Sequence, residues 1–467
     1  MCQRRLHRVG TAYRRRTRDH RCLAGILVDR CTIRRPGSCR PMSFRMTFAG
    51  SWRLCALALA LAITVSACSS GESETPSSGP QYTGTAPGSL VDSSNFTTAD
   101  MRIGKLGGTS HKITYRSTSG VDGSSTEVTG SVFVPPGLAP EGGWDVVAYG
   151  HGTTGVLEDC APSMYPHLIG NAGPVAALVN NGYVVVMPDY QGLGSDGPHP
   201  YLEPRTVGFN MIDAVRAARE LVPEASSRWA AFGGSQGGQA SWAANELDGS
   251  YGDGLDLVGV VALAPAADMS GLAADAAART LTPDQLPLMQ FAVNSLSHVF
   301  PEVALTDYLH GQVLDNNDAL LQCAGAALEE RNRLAVAIVA DDVAPSSPES
   351  TQVLTDRLKQ WSMPLAAGGP GTEGGPGRAA APMLVVQGDN DTLVRWPWTL
   401  DAVRRGCELG DVIEWQLRTG EGHGDLDTVS AFAWMADRFA AVPPINSCPA
   451  LLDPPAENAD VEEQNAE

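Results

Sequence analysis

Cations are scarce in most of this chain. Of its 33 Lys and Arg residues, 14 are Arg crowded into the first 67 positions, which hold only two acids, Asp19 and Asp29. The remaining 400 residues keep 19 basic residues against 50 acidic ones, a formal charge of about −31. A surface that negative repels nucleic acid and anionic headgroups, so neither is an expected partner, while a neutral substrate stays admissible. A membrane-length apolar run is also lacking near the N-terminus. Residues 54–67 (LCALALALAITVSA) number only 14, short of the ~20 a spanning helix needs and within the roughly 7–15 of a signal-peptide core. No cysteine has a metal-ligand spacing partner, so no metal and no cofactor is expected. Internal repeats are absent.

What is present at the N-terminus reads as export. Arg45 and Arg53 flank the apolar run, which ends Val65-Ser66-Ala67-Cys68 before a Ser/Gly/Pro stretch. Small residues before a Cys resemble a bacterial lipobox, which would make Cys68 a lipidation site; plain cleavage after Ala67 is the alternative. Residues 1–41 carry 12 Arg and four Cys without periodicity. They read as a spurious extension, with translation starting at Met42 or Met46; a nucleic-acid-binding arm is the other reading. Residues 68–90 have the composition of a polar tether, and the acidic, Pro-broken run 450–467 that of a disordered tail. The expected folded domain is therefore 91–449, exported and held at the membrane only by its lipid anchor. Its oligomeric state has no signature in the sequence.

Between those ends, strand and helix signals alternate. Residues 112–116 and 127–134 predict an antiparallel hairpin. Runs at 146–149, 183–188, 229–232, 257–263, 383–386 and 412–416 predict buried strands, with helices over 174–181, 207–222 and 239–247. Continuous apolar strands alternating with helices imply an α/β fold, a mostly parallel sheet covered on both faces. From 269 to about 380 the rhythm breaks into helix-like pieces and a Gly/Pro run. A crossover needs only about a dozen residues, so this segment predicts an inserted helical cap over the site, against the alternative of a helical decoration without a gating role.

The chemistry concentrates at Ser235, in Gly233-Gly234-Ser235-Gln236-Gly237-Gly238. This G-x-S-x-G string follows a predicted strand and precedes a predicted helix, the setting in which a strained turn presents a serine hydroxyl above a sheet. A serine hydroxyl is a weak nucleophile until a base takes its proton. His423, in Gly420-Glu421-Gly422-His423-Gly424, is the one histidine beyond the last strands. His298 and His310 fall in the expected cap, His151 precedes the oxyanion loop, and His199 sits in a Pro-rich turn. The acid should follow the strand at 383–386, where Asp389 and Asp391 both qualify. Asp391 stands in a G-x-x-D pattern followed by apolar residues, whereas Asp389 reads as a turn former. Oxyanion donors are expected from the backbone of Gln236 and from Gly152 or Thr153, in the HGTTG loop after the strand at 146–149.

Three segments together, YGHGTTG (149–155), PDYQGLGSDGPHPYL (188–202) and GGSQGG (233–238), resemble the secretory lipase family across roughly residues 100–448. The resemblance implies an α/β-hydrolase core, a helical cap after the sixth strand, and hydrolysis of carboxylic esters, glycerides included. It also carries over Ser235, Asp391 and His423 as a triad. The implied partner is a small-molecule or lipid ester. Transfer of the acyl group to an envelope acceptor and a non-catalytic surface protein on the same scaffold are the competing readings. Four cysteines besides Cys68 remain after the signal. Of three possible pairings, Cys160–Cys323 would tie the cap to the core beside the oxyanion loop, and Cys407–Cys448 would close a loop containing His423.

Overall fold

The computed structural model describes residues 82–323 and 327–453. The expected export signal, Cys68, most of the tether and residues 454–467 lie outside the described residues. Among the described residues, nine strands form one sheet: β1 (Leu90–Asn95), β2 (Thr109–Thr118), β3 (Ser125–Val134), β4 (Trp144–Gly150), β5 (Val184–Pro188), β6 (Ala225–Gly234), β7 (Asp256–Leu263), β8 (Met383–Gly388) and β9 (Ile413–Arg418). Their spatial order is β1-β2-β3-β5-β4-β6-β7-β8-β9. The pairings β1–β2, β2–β3 and β3–β5 are antiparallel. From β5 through β4 to β9 every pairing is parallel.

Among the described residues, thirteen α-helices are found, numbered here in chain order. Four precede the insertion: α1 (Met101–Gly104), α2 (Ala172–Asn180), α3 (Pro204–Leu221) and α4 (Gln236–Tyr251). Six lie within it: α5 (Gly271–Ala278), α6 (Gln285–Val299), α7 (Gly311–Asp315), α8 (Asn317–Leu320), α9 (Leu328–Ala335) and α10 (Pro348–Gln360). The last three are α11 (Trp396–Glu408), α12 (Thr428–Phe439) and α13 (Cys448–Leu452).

The central strands are apolar on both sides, and the period of two sorts their side chains into two cores. Along β4, Val146 and Ala148 join a cluster with Phe209 of α3, Trp242 of α4 and Val403 of α11. Val147 and Tyr149 face the other way, into a cluster with Val175 of α2 and Trp434 of α12. Helices thus cover both faces, as the alternating pattern predicts.

The packed chain begins before the boundary expected at residue 91. Leu90 is fully buried in β1, and the Tyr82 hydroxyl lies 2.7 Å from Ser93 Oγ. The composition of 82–95 is polar because β1 is an edge strand whose outer residues meet water. At the other end α13 runs to Leu452, past the expected limit of 449. The helical insertion follows β7, the strand expected at 257–263, which becomes the seventh once the added edge strand β1 is counted.

Among the described residues, no strand interrupts the stretch from β7 to β8. Helices α5 to α10 build their own apolar core, with Met289, Val293, Leu296, Leu354 and Trp361, and this core also takes in Tyr201 and Val394 from loops of the sheet domain. The insertion is held at both roots by one carboxylate. Asp268, where the chain leaves the sheet, meets Lys359 of α10 at 2.5 Å and Arg405 of α11 at 2.8 Å. It also accepts from Ser270 Oγ at 2.6 Å and Ser362 Oγ at 3.0 Å. Burial works against its charge, but Lys359, Ser270 and Arg405 outweigh that and hold its pKa below the ordinary value. The two disulfides join Cys160 to Cys323 and Cys407 to Cys448, with Cα separations of 5.7 and 5.1 Å.

Because the folded-state pKa of Asp268 is depressed, its contribution to stability is present at neutral pH and is lost as pH falls below the ordinary carboxylate range. Asp268→Ala should lower the free energy of unfolding by about 2 kcal/mol, less than the 3–5 of a fully buried pair, because Lys359 and Arg405 keep contact with water. Urea titration at pH 7 and pH 3.5 checks this: the gap between variant and parent should narrow at the lower pH.

Candidate active site

β6 ends at Gly234 and α4 begins at Gln236, so Ser235 alone makes the turn. Its backbone sits at φ 58°, ψ −121°, outside the regions open to ordinary L-residues. The turn is clamped from both sides. Ser235 N donates to Leu263 O at 2.8 Å, and Ser235 O accepts from Gln239 N at 3.0 Å and Ala266 N at 3.1 Å. The glycines around it are required by backbone contact. A Cβ on Gly237 would stand 2.0 Å from the Gly150 carbonyl oxygen, and one on Gly233 would stand 2.2 Å from that of Gly237. The same contact brings the end of β4 against the start of α4. Gly152 therefore lies beside Ser235, where an added Cβ would be 3.7 Å from the serine Cβ.

The loop from His151 to Gly155 is locked by its neighbours. Buried His151 has Nδ1 2.7 Å from Gly152 O and Nε2 3.2 Å from Asp189 O, and burial lowers its pKa. Its ring stacks on Tyr190 at 4.4 Å, and the Tyr190 hydroxyl donates to His151 O at 3.1 Å. Thr153 Oγ1 lies 2.7 Å from the Tyr201 hydroxyl. Gly155 packs on the Cys160–Cys323 bridge, with room for no side chain.

His423 Nδ1 lies 2.8 Å from Asp391 Oδ2. Asp391 is buried, and its oxygens accept three further bonds: Gln387 Nε2 at 2.8 Å, Leu393 N at 2.9 Å and Val394 N at 2.9 Å. Every lone-pair direction of the carboxylate is used, so its orientation toward His423 is fixed. With Nδ1–H donating to the carboxylate, Nε2 is the ring's free acceptor. Asp389 does different work: its Oδ1 accepts from Gly420 N at 2.7 Å and so anchors the start of the His423 loop. Asp425 stays local, taking the Gly422 N–H.

Ser235, His423, Gly152 and Thr153 line one cavity of about 330 Å³. Its opposite wall is apolar and comes from α6, with Pro287, Leu288 and Phe291, helped by Leu393. Asp284 and Arg331 stand at the same cavity. Among the described residues no direct Ser235–His423 hydrogen bond is made; in ligand-free sites such bonds are commonly long. The structure brings together Ser235, His423, Asp391, Gly152, Thr153 and Gln236. His298 and His310 lie in the insertion. Sequence reasoning missed Gln387, whose amide links Asp391 to Thr399 Oγ1 at 2.9 Å. It also missed Tyr201 and the contacts of His199. A polar residue in the otherwise apolar strand MLVVQG was the available signal for Gln387.

Comparison with known proteins bears on the family and the fold. Residues 171–358 match the model of the family described as secretory lipase. A Mycobacterium tuberculosis protein named as a probable inactive lipase is 25% identical over 390 residues, 78% of this chain and 80% of its own length. Candida antarctica lipase A in its closed state superposes with a TM-score of 0.61 at 16% identity, covering 83% of this chain and 94% of that one. The rice cell wall degrading esterase LipA from Xanthomonas oryzae, in a ligand-bound form, superposes with a TM-score of 0.57 at 20% identity, covering 77% and 97%. The fold is the α/β-hydrolase fold.

The Gly150–Gly237 approach predicts that Gly237→Ala fails at the turn itself. The variant should lose about 3 kcal/mol or more of stability, since backbone and not a flexible side chain stands in the way of the added Cβ. Thermal unfolding followed by circular dichroism checks this, with Gly249→Ala, where an added Cβ meets nothing within 4 Å, as the control.

Proposed function

We propose that this chain, a protein of secretory-lipase type on the α/β-hydrolase fold, hydrolyses carboxylic esters through an acyl-enzyme on Ser235. The observation that carries the reading is the His423–Asp391 contact at 2.8 Å on the wall of the cavity that Ser235 enters. In this reading Ser235 Oγ gives its proton to His423 Nε2 as the oxygen attacks the ester carbonyl. Asp391 holds the ring's tautomer and balances the imidazolium. The carbonyl oxygen becomes an oxyanion, received by the backbone N–H of Gln236 and by that of Gly152 or Thr153. His423 then protonates the leaving alcohol, and water repeats the sequence on the acyl-enzyme. The apolar wall of Leu288, Phe291 and Leu393 suits the hydrocarbon part of an ester.

A non-catalytic role has one observation in its favour, the naming of the Mycobacterium tuberculosis relative as inactive. Against it, this chain keeps the strained Ser235 turn, whose cost a binding scaffold has no reason to retain.

Ser235→Ala should leave the fold intact and reduce hydrolysis of p-nitrophenyl butyrate by several orders of magnitude. Asp391→Asn should cost roughly 10⁴ in turnover, and Asp389→Asn far less. Initial rates on the three purified variants decide the matter; near-parental turnover in the Ala variant would refute the hydrolase reading.

The two disulfides fit an extracytoplasmic setting. Within it, we place the chain at the membrane through a lipid on Cys68. Cys68→Ser should then move the protein from the membrane fraction to the soluble one, and an unchanged distribution on immunoblotting would favour plain secretion.

A further inference from the structure

His199 lies in the segment Pro198-His199-Pro200-Tyr201, outside the group of residues assigned above. It is buried, with its ring between those of Tyr190 and Tyr201 at 6.2 and 6.1 Å. Both ring nitrogens are used. Nδ1 lies 2.8 Å from Gln191 O, and Nε2 lies 2.8 Å from Nε2 of Gln236. A carbonyl oxygen can only accept, so Nδ1 carries the proton and donates. In the neutral ring Nε2 is then an acceptor, and the Gln236 amide donates to it. Burial pushes the pKa of His199 down to about 4, which keeps the ring neutral and this tautomer in place at physiological pH. The oxygen of that amide, Gln236 Oε1, is buried without a partner. Turning the amide over would set that oxygen against the Nε2 lone pair, so the Gln236 side chain pairs with His199 in one orientation only.

Gln236 is the residue after Ser235 and the first residue of α4. N–H groups in the first turn of a helix have no intrahelical acceptor, so the Gln236 N–H is open to a ligand and its direction is set by how its peptide unit is held. From the carbonyl side the Ser235–Gln236 peptide is held by Gln239 N and Ala266 N. From the side-chain end of Gln236 it is held by His199. His199 is itself tied to the insertion, because its carbonyl accepts from Ser295 Oγ of α6 at 3.1 Å. We infer that His199 is a positioning residue for the oxyanion donor: through the Gln236 side chain it aims the Gln236 N–H at the site where the ester oxygen becomes charged. This rests on the hydrolase reading above and adds a residue to it.

The experiment uses the full chain and p-nitrophenyl butyrate, with end-point labelling by a fluorophosphonate to count competent sites. His199→Phe keeps a flat ring and removes the acceptor. It should lower kcat about tenfold to a hundredfold, part of the 10²–10³ that loss of a whole oxyanion donor costs. KM should stay within about twofold, and affinity for a trifluoromethyl ketone that forms the tetrahedral adduct should fall in parallel with kcat. His199→Gln, which offers Oε1 to the same amide, should recover most of the loss. Gln236→Leu should lower kcat by a similar factor, and in that background His199→Phe should cost less than about twofold more. A parental kcat in both His199→Phe and Gln236→Leu overturns the inference while the hydrolase reading stands. So does full additivity of the two substitutions, or a fall in melting temperature with kcat per labelled site unchanged. A parent that neither hydrolyses the ester nor takes up the fluorophosphonate overturns both.

Discussion

The Gly150 carbonyl and the Gly237 backbone stand so close that no side chain fits between them. That contact joins the end of β4 to the start of α4, and nearly everything at the cavity follows from it. It puts the His151–Gly155 loop beside Ser235, and it needs the parallel pairing of β4 with β6, whose last rung sets Gly150 opposite Gly233. The sharp turn at Ser235 is affordable only because the carbonyl and amide on either side are hydrogen-bonded to Leu263, Gln239 and Ala266. Strain at one residue is offset by backbone bonds from its neighbours, and the hydroxyl is left as the group without a fixed partner.

Much of this was legible because the signals were local. A strand, a glycine-flanked serine and a helix occur within one short stretch, and turn chemistry depends on near neighbours. The preference for Asp391 over Asp389 rests on the G-x-x-D pattern and on reading Asp389 as a turn former; in the structure Asp391 reaches His423, while Asp389 takes the distant Gly420 N–H. The insertion was legible as a loss of strand pattern between β7 and β8. β1 was not legible, because LVDSSN buries Leu90 fully and otherwise carries the polar residues of an edge strand, which by composition read as linker. Nor was the role of His199 visible. Its partners, Gln191 and Gln236, become neighbours only when the turn of Pro198 and Pro200 folds over α4. Gln387 was hidden for the same reason: its partners Asp391 and Thr399 sit beyond the end of its strand.

The electrostatics divide between surface and cavity. The chain beyond residue 67 is strongly acidic, yet the cavity that Ser235 lines is walled largely by Pro287, Leu288, Phe291 and Leu393, with one charge of each sign beside them, Asp284 and Arg331. An apolar wall of this kind selects on shape and apolarity. The buried polar groups near the cavity, Asp391, Gln387, His151 and His199, each spend most of their hydrogen bonds on fixed protein partners, so the site is organised before any ligand arrives.

The bridge between Cys160 and Cys323 has a consequence for how the chain is made. The two cysteines are 163 residues apart, so a ribosome adding ~5–20 residues per second needs roughly 10–30 s to deliver the second after the first. By then β1 to β7 have all been synthesised, and the bridge closes on a sheet already largely available rather than guiding its assembly. Among the cysteines from residue 160 onward, the order of appearance is Cys160, Cys323, Cys407, Cys448. In a chain delivered N-to-C into an oxidising compartment, Cys160 would meet its native partner Cys323, and Cys407 its native partner Cys448, as the next thiol to emerge, so the correct pairs would form without reshuffling.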